Sequence, residues 1–463
     1  MPAGWNGKRI ILHLDAVDWQ SQVYINGQSM GIHKGGYDAI SYDITPYLNG
    51  GTNELIVQVY NPVDNGGQPR GKQTLNPGGI MYTSSSGIWQ TVWLEPVDSF
   101  GVQSLNIIPD VDNSRLRLTV NTYATNGVTV SAAVLDNGTT VATMNGNPQT
   151  ELDIPIANPK LWSPDSPFLY DLRISVIHNG VTNDMVSSYF GMRKISINLV
   201  AGRGRIFLNN QYLFEIGPLD QGFWPDGLYT APTDAALAYD IQMEKAFGFN
   251  MVRKHLKVEP QRWYYWADKL GILVWQDMPS CNSYTGNPNP PSVDPVQFAA
   301  ELSAMVTNHW NSPSIIMWDI FNEGQGQAGS GNGVGQASTA SLVQLVKSLD
   351  PSRLVNQASG WSWAGVGAVA DIHSYPDPGN PINTTLASVD GEFGSIGYVV
   401  PGHMWFGDNY GYGSAFTVST TNDLVSYYDY YLNELVNYEP ATKGGLNAGV
   451  YTEITDMETE SAG

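Results

Sequence analysis

Cysteine and long apolar runs are nearly absent from this chain. Cys281 is its single cysteine, so no disulfide can form within the chain, and cysteine usage does not indicate the cellular compartment. Because Cys281 lies in no nucleophile motif, we interpret it as a buried or incidental thiol. No uncharged apolar run reaches the roughly 18 residues of a membrane-spanning helix, and the N-terminal residues lack the pattern of a secretory signal peptide. We therefore expect no membrane partner.

Basic residues are also scarce. The chain has 22 Lys and Arg residues against 43 Asp and Glu, which gives a formal net charge of −21, and only 14% of its residues are charged. A surface with this imbalance repels phosphate backbones, so we expect no nucleic-acid partner. No group of His, Cys, Asp and Glu has the spacing of a metal site in the sequence. The sequence therefore predicts no metal and no other cofactor.

Aromatic residues, in contrast, are abundant. The chain of 463 residues contains 14 Trp and 25 Tyr, and 42% of it is hydrophobic. This is enough apolar material for several large cores, and the length predicts roughly two to four domains. Few lysines together with many Gly, Asn and Thr residues are common in secreted proteins that act on polysaccharides, which favours an extracellular location. The sequence does not predict an oligomeric state.

The first 198 residues alternate apolar and polar side chains in the manner of β-strands. Residues 1–98 contain short alternating segments that are separated by turns such as Asn26-Gly27. Residues 99–198 contain about seven further short strands, with turn signals at residues 136–138 and 179–180. This spacing predicts an immunoglobulin-like β-sandwich for residues 99–198.

From residue 199 onward, helical patterns alternate with short apolar strands. Thr233 and Asp234, for example, form the start signal of a helix that we expect to end at Phe247. The candidate strands are residues 212–216, 249–253, 272–276, 315–320, 353–356, 368–373, 387–391 and 448–452. Eight strands with intervening helices over about 260 residues match a (β/α)8 TIM barrel, which we predict for residues 199–463.

Two of the predicted barrel strands end in glutamate. The apolar run at residues 314–321 ends in Asn322-Glu323, and the run at residues 386–391 ends at Glu392. In parallel α/β barrels the C-terminal ends of the strands open onto the active-site face, so a carboxylate at this position indicates catalysis. Two carboxylates on one barrel rim are the minimum needed to cleave a glycosidic bond. The sequence therefore predicts a glycosidase with a carbohydrate substrate.

These segments resemble glycoside hydrolase family 2, which includes β-galactosidases, β-glucuronidases and β-mannosidases. The segment 311–324 resembles the acid/base signature of that family. Further similar segments follow one another in the family's order, at residues 16–19, 23–27, 35–37, 87–95, 161–170, 190–193, 248–253 and 266–268. The resemblance implies a sugar-binding jelly-roll β-sandwich at residues 1–98, ahead of the immunoglobulin-like domain and the barrel.

The chain departs from the family pattern in three places. The first jelly-roll strands, which should precede Trp5, are absent, so we expect a partial jelly roll in a fragment or a short family member. The trailing β domains of the family are also absent. The His-rich loop that follows the first barrel strand of the family's β-galactosidases is replaced by residues 220–226. This replacement weakens the support for a galactosidase and for a Mg²⁺ site.

The resemblance also implies the roles of the two glutamates. Family members retain the anomeric configuration, which requires the two carboxyl groups to lie about 5–5.5 Å apart. Glu323 would be the general acid/base, and Glu392 would be the nucleophile that forms a glycosyl-enzyme. The alternative nucleophiles are Glu453, after the last predicted strand, and Glu215 in the first one. Both fit less well, because the family uses the pair of strands that carry Glu323 and Glu392.

Three further residues are expected to support the glutamates. Asn322 would hydrogen-bond the 2-hydroxyl group of the sugar, a contact that strengthens in the transition state. Arg253, at the end of the second predicted strand, would hold the nucleophile ionised, with a purely structural ion pair as the alternative. Tyr375 resembles the tyrosine that family members direct at the nucleophile.

The remaining candidate substrate contacts are less specific. His255 and His373 lie beside these positions, and each is equally well explained as a hydrogen-bonded histidine of the rim. Asp220, where the first predicted strand meets its loop, could bind sugar hydroxyl groups. Trp405 lies in a predicted rim loop and could stack on a sugar face, although packing is the default role of a single tryptophan.

The leading hypothesis is a retaining, exo-acting β-glycosidase that hydrolyses terminal β-linked sugars. A β-galactoside is the first-choice substrate, because this activity is common in the family. One alternative is a β-glucuronidase or another β-glycosidase of the same family. The other is a non-catalytic carbohydrate-binding protein on the same scaffold, and the presence of Glu323, Glu392 and Asn322 argues against it.

Overall fold

The computed structural model describes residues 2–280, 292–328, 338–383, 385–405 and 416–462. Cys281 lies outside the described residues. In the part of the chain that is described, no helix is both long and apolar enough to cross a membrane. Internal contacts divide the chain into two units. The first consists of Met1–Asn61, Ser86–Lys194 and Asn308–Pro313, and the second of Pro62–Ser85, Ile195–Thr307 and Ser314–Gly463.

The N-terminal part of the chain is built from β-strands and three short 3₁₀-helices, Ala3–Trp5, Thr45–Tyr47 and Val63–Asn65. In chain order the strands are β1 (Arg9–Leu14), β2 (Val17–Asp18), β3 (Gln20–Ile25), β4 (Gln28–Lys34), β5 (Ile40–Asp43), β6 (Leu55–Tyr60), β7 (Gln73–Thr74), β8 (Tyr82–Thr83), β9 (Gly87–Ile88), β10 (Val92–Val97), β11 (Val102–Asp110), β12 (Arg115–Thr122), β13 (Val128–Asp136), β14 (Thr139–Gly146), β15 (Glu151–Pro155), β16 (Tyr170–His178) and β17 (Val181–Phe190).

The first sandwich consists of two three-stranded sheets, β10-β1-β5 and β4-β3-β6. Alternation along β3 buries Val23 and Ile25, which pack with Leu12 and Leu14 of β1 in one apolar core. The predicted turn at Asn26-Gly27 joins β3 to β4, and both residues have positive φ, as a tight hairpin turn requires. Burial of one face of each sheet therefore produces the predicted sandwich.

The second sandwich pairs the sheet β11-β12-β15 with the sheet β14-β13-β16-β17. Its core is formed by alternate residues of the central strands, such as Leu116 and Leu118 of β12 and Leu172 and Ile174 of β16. The strand number agrees with the predicted immunoglobulin-like fold. The predicted turns after β13 and β16 are present, each with an Asn-Gly pair at positive φ.

The second unit contains the barrel. Its further strands are β18 (Ile195–Val200), β19 (Arg203–Leu208), β20 (Gln211–Tyr212), β21 (Glu215–Asp220), β22 (Met251–Lys254), β23 (Leu273–Asp277), β24 (Ile315–Asp319), β25 (Leu354–Asn356), β26 (Val369–Ser374), β27 (Ala387–Gly394), β28 (Ile396–Tyr398), β29 (Phe416–Val418) and β30 (Leu446–Thr452). The α-helices are α1 (Asp234–Ala246), α2 (Gln261–Leu270), α3 (Pro295–His309), α4 (Thr339–Leu349) and α5 (Thr421–Tyr438).

Eight parallel strands form a nearly closed barrel in the order β26-β27-β30-β21-β22-β23-β24-β25. Most of these strands are buried along their whole length, as expected for strands that are covered by helices on one side and by the barrel interior on the other. The helix that the sequence predicts after Thr233 is α1, and it begins at the predicted position. Thr233 caps α1 by accepting a hydrogen bond from the Ala236 N–H at 3.0 Å.

Seven of the eight predicted barrel strands match the structure to within three residues at either end, and the first one is misplaced. Residues 211–212 form β20, which pairs with β19 in a hairpin, and the barrel strand β21 starts only at Glu215. Glu215 therefore lies at the N-terminal end of β21, away from the face onto which the strand ends open. Its carboxyl accepts a hydrogen bond from the Trp275 indole at 2.7 Å, and burial raises the pKa of Glu215 to about 8.

Candidate active site

Both predicted catalytic glutamates lie at the C-terminal ends of barrel strands. Glu323 follows β24, and Glu392 lies near the end of β27. Glu323 has a φ of 53°, a left-handed conformation that non-glycine residues adopt uncommonly. Its backbone N–H donates to the Ser359 carbonyl at 2.9 Å, which holds this sharp turn in place. The turn thus sets the direction in which the Glu323 side chain leaves the strand.

The glycine before Glu392 is required by close packing. A Cβ atom at Gly391 would lie 2.4 Å from Ser359 Oγ and 2.5 Å from Asp371 Oδ1. The Gly391 N–H donates to the same Asp371 oxygen at 2.8 Å. A larger residue would therefore push β27 away from its neighbours, and Glu392 would move with it.

Glu392 is surrounded by donors and positive charge. Arg253 Nη1 donates to it at 3.0 Å, the Tyr375 hydroxyl donates at 2.6 Å, and His373 Nδ1 lies 3.4 Å away. Burial by itself would raise the pKa of Glu392, but the charges of His373 and Arg253 and the hydrogen bond from Tyr375 outweigh it and lower the pKa to about 2. The Glu392 carboxylate is therefore ionised at neutral pH.

Arg253 links three groups below the barrel mouth. It is fully buried, and it donates to Asp277 at 3.1 and 2.9 Å, to Asn322 Oδ1 at 2.9 Å and to Glu392. Burial opposes the charge of Arg253, yet the Asp277 and Glu392 carboxylates raise its pKa above the usual value. The guanidinium group thus forms the buried ion pair with Asp277 and also contacts Glu392, the predicted nucleophile. It orients Asn322 as well.

His373 lies between the two glutamates. Its Nδ1 atom is 3.1 Å from Glu323 Oε1, and its Nε2 atom is 2.8 Å from Ser359 Oγ. Burial lowers the pKa of His373, but the Glu392 charge and the hydrogen bond with Glu323 raise it above the usual value. Ligand atoms of Glu323, His373 and Glu392 all lie within 4.8 Å of one another. The two carboxyl groups are therefore close neighbours.

In the described part of the chain, this same group of three has a spacing that could hold a metal ion. Its ligand atoms already serve as partners to one another. Glu323 also accepts a hydrogen bond from Gln325 at 3.2 Å, and Glu392 accepts those of Arg253 and Tyr375. A carboxyl pair with this hydrogen bonding fits acid/base and nucleophilic chemistry without a metal.

A cavity of about 130 Å³, the central cavity, opens beside the two glutamates. It is lined by Lys72, Ile80, Leu219, His255, Asn322, Glu323, Gln325, Tyr375, Glu392, Ser395, Thr452 and Glu460. The structure thus brings five of the predicted site residues to one surface. Arg253 and His373 are buried and reach this surface through Glu392 and Glu323.

His255 lines the central cavity as a neutral ring. Its Nδ1 atom lies 2.9 Å from Asp277 Oδ2. Burial and the nearby Arg253 charge lower the pKa of His255 well below its usual value. At neutral pH the ring therefore adds no positive charge to the cavity.

Asp220 and Trp405 do not line the central cavity. The Asp220 carboxylate is buried, pairs with Lys254 and accepts from the Gly222 N–H at 2.7 Å. Trp405 instead lines a separate cavity of about 300 Å³, together with Trp224 and other residues. The predicted sugar contacts of Asp220 and Trp405 therefore lack support from the geometry of the central cavity.

Glu453, the alternative nucleophile, is in a different electrostatic environment from Glu392. It is buried and accepts a hydrogen bond from Gln221, and it is not among the residues that line the central cavity. Burial, followed by the charge of Glu460, raises the pKa of Glu453 well above its usual value. A carboxyl group held in its neutral form is a poor nucleophile.

Lys72 and Glu460 also line the central cavity, and neither was predicted from the sequence. Lys72 lies in the segment 62–85, which belongs to the barrel unit although sandwich strands precede and follow it in the sequence. Glu460 follows the last barrel strand. Lys72 lies in a Gly- and Pro-rich stretch, and Glu460 lies among the last residues of the chain. Neither segment has the periodicity of a strand or a helix, so the sequence offers no local signal for either residue.

Three family models match consecutive parts of the chain. They are described as "Glycosyl hydrolases family 2, sugar binding domain" over residues 1–94, "Glycosyl hydrolases family 2" over residues 101–193, and "Glycosyl hydrolases family 2, TIM barrel domain" over residues 231–382. Their order agrees with the two sandwiches and the barrel. The chain belongs to glycoside hydrolase family 2.

The similar proteins are named as enzymes of two kinds, β-glucuronidases and β-galactosidases. The chain is 28% identical to a putative β-glucuronidase of Formosa agariphila, over 75% of this chain and 42% of that protein. It is 25% identical to a β-galactosidase of Thermoanaerobacter pseudethanolicus, over 68% of this chain and 42% of that protein. The chain thus covers less than half the length of these curated relatives.

The fold resembles that of solved glucuronidases. The crystal structure of Bacteroides uniformis β-glucuronidase matches with a TM-score of 0.76 and 21% sequence identity, and it covers 99% of this chain and 58% of that one. At this level of identity the likeness establishes the shared fold alone.

Proposed function

We propose that this chain carries the catalytic centre of a retaining, exo-acting β-glycosidase. The observation that supports this most directly is the arrangement of Glu323, His373 and Glu392, whose ligand atoms lie within 4.8 Å of one another. Such proximity suits a double displacement, in which the carboxyl groups lie about 5–5.5 Å apart, and it leaves no room for the separate water of an inverting enzyme.

In the proposed first step, the ionised Glu392 attacks the anomeric carbon of the terminal sugar. The glycosidic C–O bond breaks while Glu323 gives its proton to the departing oxygen, so the aglycone leaves as an alcohol. In the second step Glu323 takes a proton from water, which attacks the anomeric carbon and releases Glu392 as a carboxylate. Asn322, which accepts a hydrogen bond from Arg253, would hydrogen-bond the 2-hydroxyl group in both steps.

Glu392 suits the nucleophile role better than Glu453. Its low pKa keeps it ionised, whereas the pKa of Glu453 is raised well above the usual value. Glu392 also lines the same cavity as Glu323. Both properties support the assignment of the double displacement to Glu323 and Glu392.

The first-choice substrate is a terminal β-galactoside, and the second candidate is a β-glucuronide. Relatives named as β-galactosidases and as β-glucuronidases, at 25% to 28% identity, support a β-glycosidase and leave the sugar open. The third possibility, a carbohydrate-binding protein without catalysis, is disfavoured because the hydrogen bonds around Glu392 favour its ionised form, a requirement of catalysis rather than of sugar binding.

A panel of p-nitrophenyl β-glycosides tests the proposal. We expect nitrophenol release from at least one sugar, and proton NMR of the first product should show the β-anomer before mutarotation. Release of the α-anomer would contradict the retaining mechanism. Sugar binding without hydrolysis of any member of the panel would favour the non-catalytic alternative.

A further inference from the structure

The segment 62–85 is held at several points on the barrel loops. The Gly71 N–H donates to the Ser280 carbonyl at 3.2 Å, and a Cβ atom at Gly71 would lie 2.4 Å from the Leu256 carbonyl oxygen. At the other end of the segment, the Thr83 N–H donates to Glu458 at 2.9 Å. These contacts fix the backbone on both sides of Lys72, so its position at the central cavity is built into the fold.

Lys72 and Glu460 form an ion pair in the wall of the central cavity. Lys72 Nζ lies 3.5 Å from Glu460 Oε2, and both residues are more than nine-tenths buried. Glu460 also accepts a hydrogen bond from Tyr82, which anchors its carboxylate. An ammonium group has three N–H donors, and the separation from Glu460 is longer than a charged hydrogen bond of about 2.7–2.9 Å. Lys72 therefore keeps donors for a ligand.

The charges around the central cavity disfavour an anionic sugar. Glu323, Glu392 and Glu460 are the glutamates of its lining, and among the described residues that line the cavity Lys72 is the one lysine or arginine. His255 is neutral at pH 7, because burial and the Arg253 charge lower its pKa. The residues of this chain outside the described ranges include no Lys, Arg or His. Behind this lining, Arg253 already pairs with Asp277 and Glu392, and His373 already contacts Glu323 and Glu392. A uronate would thus bring another negative charge to a lining whose one lysine, Lys72, already has Glu460 as its partner.

A neutral sugar, in contrast, suits a paired donor and acceptor. Each sugar hydroxyl group can accept a hydrogen bond and donate one. An ammonium group that donates to one hydroxyl oxygen, beside a carboxylate that accepts from the next hydroxyl group, satisfies two neighbouring hydroxyl groups without a change in net charge.

We infer that Lys72 and Glu460 bind hydroxyl groups of the terminal sugar and select a neutral glycoside over a uronide. This inference rests on the proposed function, because it places the terminal sugar in the cavity that Glu323 and Glu392 share. It assigns the choice of sugar to two residues that approach the site from opposite ends of the sequence.

The test compares kcat/KM for p-nitrophenyl β-D-galactoside and β-D-glucuronide in the wild type, Glu460→Gln and Lys72→Met. The wild type should prefer the galactoside. Glu460→Gln should lower kcat/KM on the galactoside about 10- to 100-fold, as expected for a charge-assisted hydrogen bond. It should also narrow the preference over the glucuronide, since it removes the repelling charge. Lys72→Met should lower activity on the galactoside to a similar extent.

Deoxy substrates separate hydroxyl binding from a purely structural role. The wild type should hydrolyse aryl 4-deoxy- or 6-deoxy-β-galactosides more slowly than the galactoside. If Lys72 or Glu460 binds the missing hydroxyl group, its replacement in Lys72→Met or Glu460→Gln should make the galactoside and that deoxy substrate react at the same rate. Lys443→Met, at an exposed lysine of the same unit, is the matched control and should change neither ratio. Circular dichroism verifies that each variant is folded.

Three results would overturn the inference. The first is that both variants hydrolyse the galactoside with the wild-type kcat/KM. The second is that each variant loses the same factor in kcat/KM on the galactoside and on every deoxy substrate. The third is that the wild type prefers the glucuronide and that Lys72→Met removes this preference. If the wild type hydrolyses no aryl glycoside, the proposed function fails independently. Saturation-transfer NMR with methyl β-D-galactoside and methyl β-D-glucuronide then tests sugar selection by the same two variants without turnover.

Discussion

Nδ1 of His373 lies 3.1 Å from Oε1 of Glu323. The same nitrogen is 3.4 Å from Glu392, so one ring connects the proposed acid/base to the proposed nucleophile. In the proposed mechanism Glu392 becomes an ester in the glycosyl-enzyme, and the Glu392 charge, which helps raise the pKa of His373, would then disappear. The electrostatic environment of Glu323 therefore changes between the two steps, as is required of a group that first gives a proton and then takes one.

Replacement of the proposed acid/base should affect poor leaving groups most. We expect Glu323→Gln to reduce kcat/KM on alkyl or disaccharide substrates by about 10²- to 10⁴-fold, the usual contribution of general acid catalysis. The loss should be much smaller on 2,4-dinitrophenyl glycosides, which leave without protonation. Equal losses on both kinds of substrate would remove Glu323 from the acid role.

Removal of the proposed nucleophile should be reversible by a small anion. Glu392→Gly should be inactive alone and should recover turnover when azide is added, because azide can occupy the vacated space and attack the anomeric carbon. The product should then be the α-glycosyl azide. Glu453→Gly is the matched control and should show no azide-dependent rate. Rescue at Glu453 instead would identify it as the nucleophile.

His373 should make stability depend on pH on the alkaline side. Its pKa is raised in the folded state, so its stabilising contribution is complete below the usual value of about 6.5 and is lost as the pH rises through the folded-state pKa. We expect the free energy of unfolding of the wild type to fall relative to that of His373→Asn over this range. Glu392→Gln should weaken the effect, since the Glu392 charge helps raise the pKa. A difference in the free energy of unfolding between the wild type and His373→Asn that is the same at every pH would contradict this prediction.

Glu392 should make stability depend on pH on the acidic side. Its folded-state pKa is about 2, compared with an ordinary value of 4.5. Its contribution is therefore complete above pH 4.5 and is lost as the pH falls from 4.5 toward 2. Urea denaturation at several pH values should show the wild type losing stability relative to Glu392→Gln within that window. An equal loss of stability in both proteins would show that groups other than Glu392 cause the loss at low pH.

Arg253 should matter for folding as well as for catalysis. Arg253→Met would leave Asp277 buried without its ion-pair partner, and breaking a buried pair costs about 3–5 kcal/mol. Arg262→Met is the control, because Arg262 pairs with Asp234 at the surface and exposed pairs contribute at most about 1 kcal/mol. Chemical denaturation measures both. A loss below about 1 kcal/mol in Arg253→Met would show that the buried carboxylates adapt by taking up protons.

The sequence alone predicted much of the fold and the centre of the site. Alternating strands with Asn-Gly turns predicted β-structure over residues 1–98 and the immunoglobulin-like sandwich after it, and the family resemblance implied the first sandwich. Seven barrel strands were predicted to within three residues of their observed ends, because buried parallel strands appear as continuous apolar runs. The first barrel strand was misplaced, because β20 and β21 lie close together in one apolar stretch and only the pairing of β20 with β19 separates them.

The sequence by itself determined where Glu323 and Glu392 lie, since a carboxylate that ends an apolar strand is a local pattern and strand ends meet at one face of a barrel. Only the tertiary structure decided what surrounds them. His373 lies beside Glu392 on the paired strand β26 and also contacts Glu323. Tyr82 contacts Glu460 although 378 residues separate them in the sequence. Such contacts depend on how distant segments pack, and burial and charge at those contacts then set which carboxyl group is ionised.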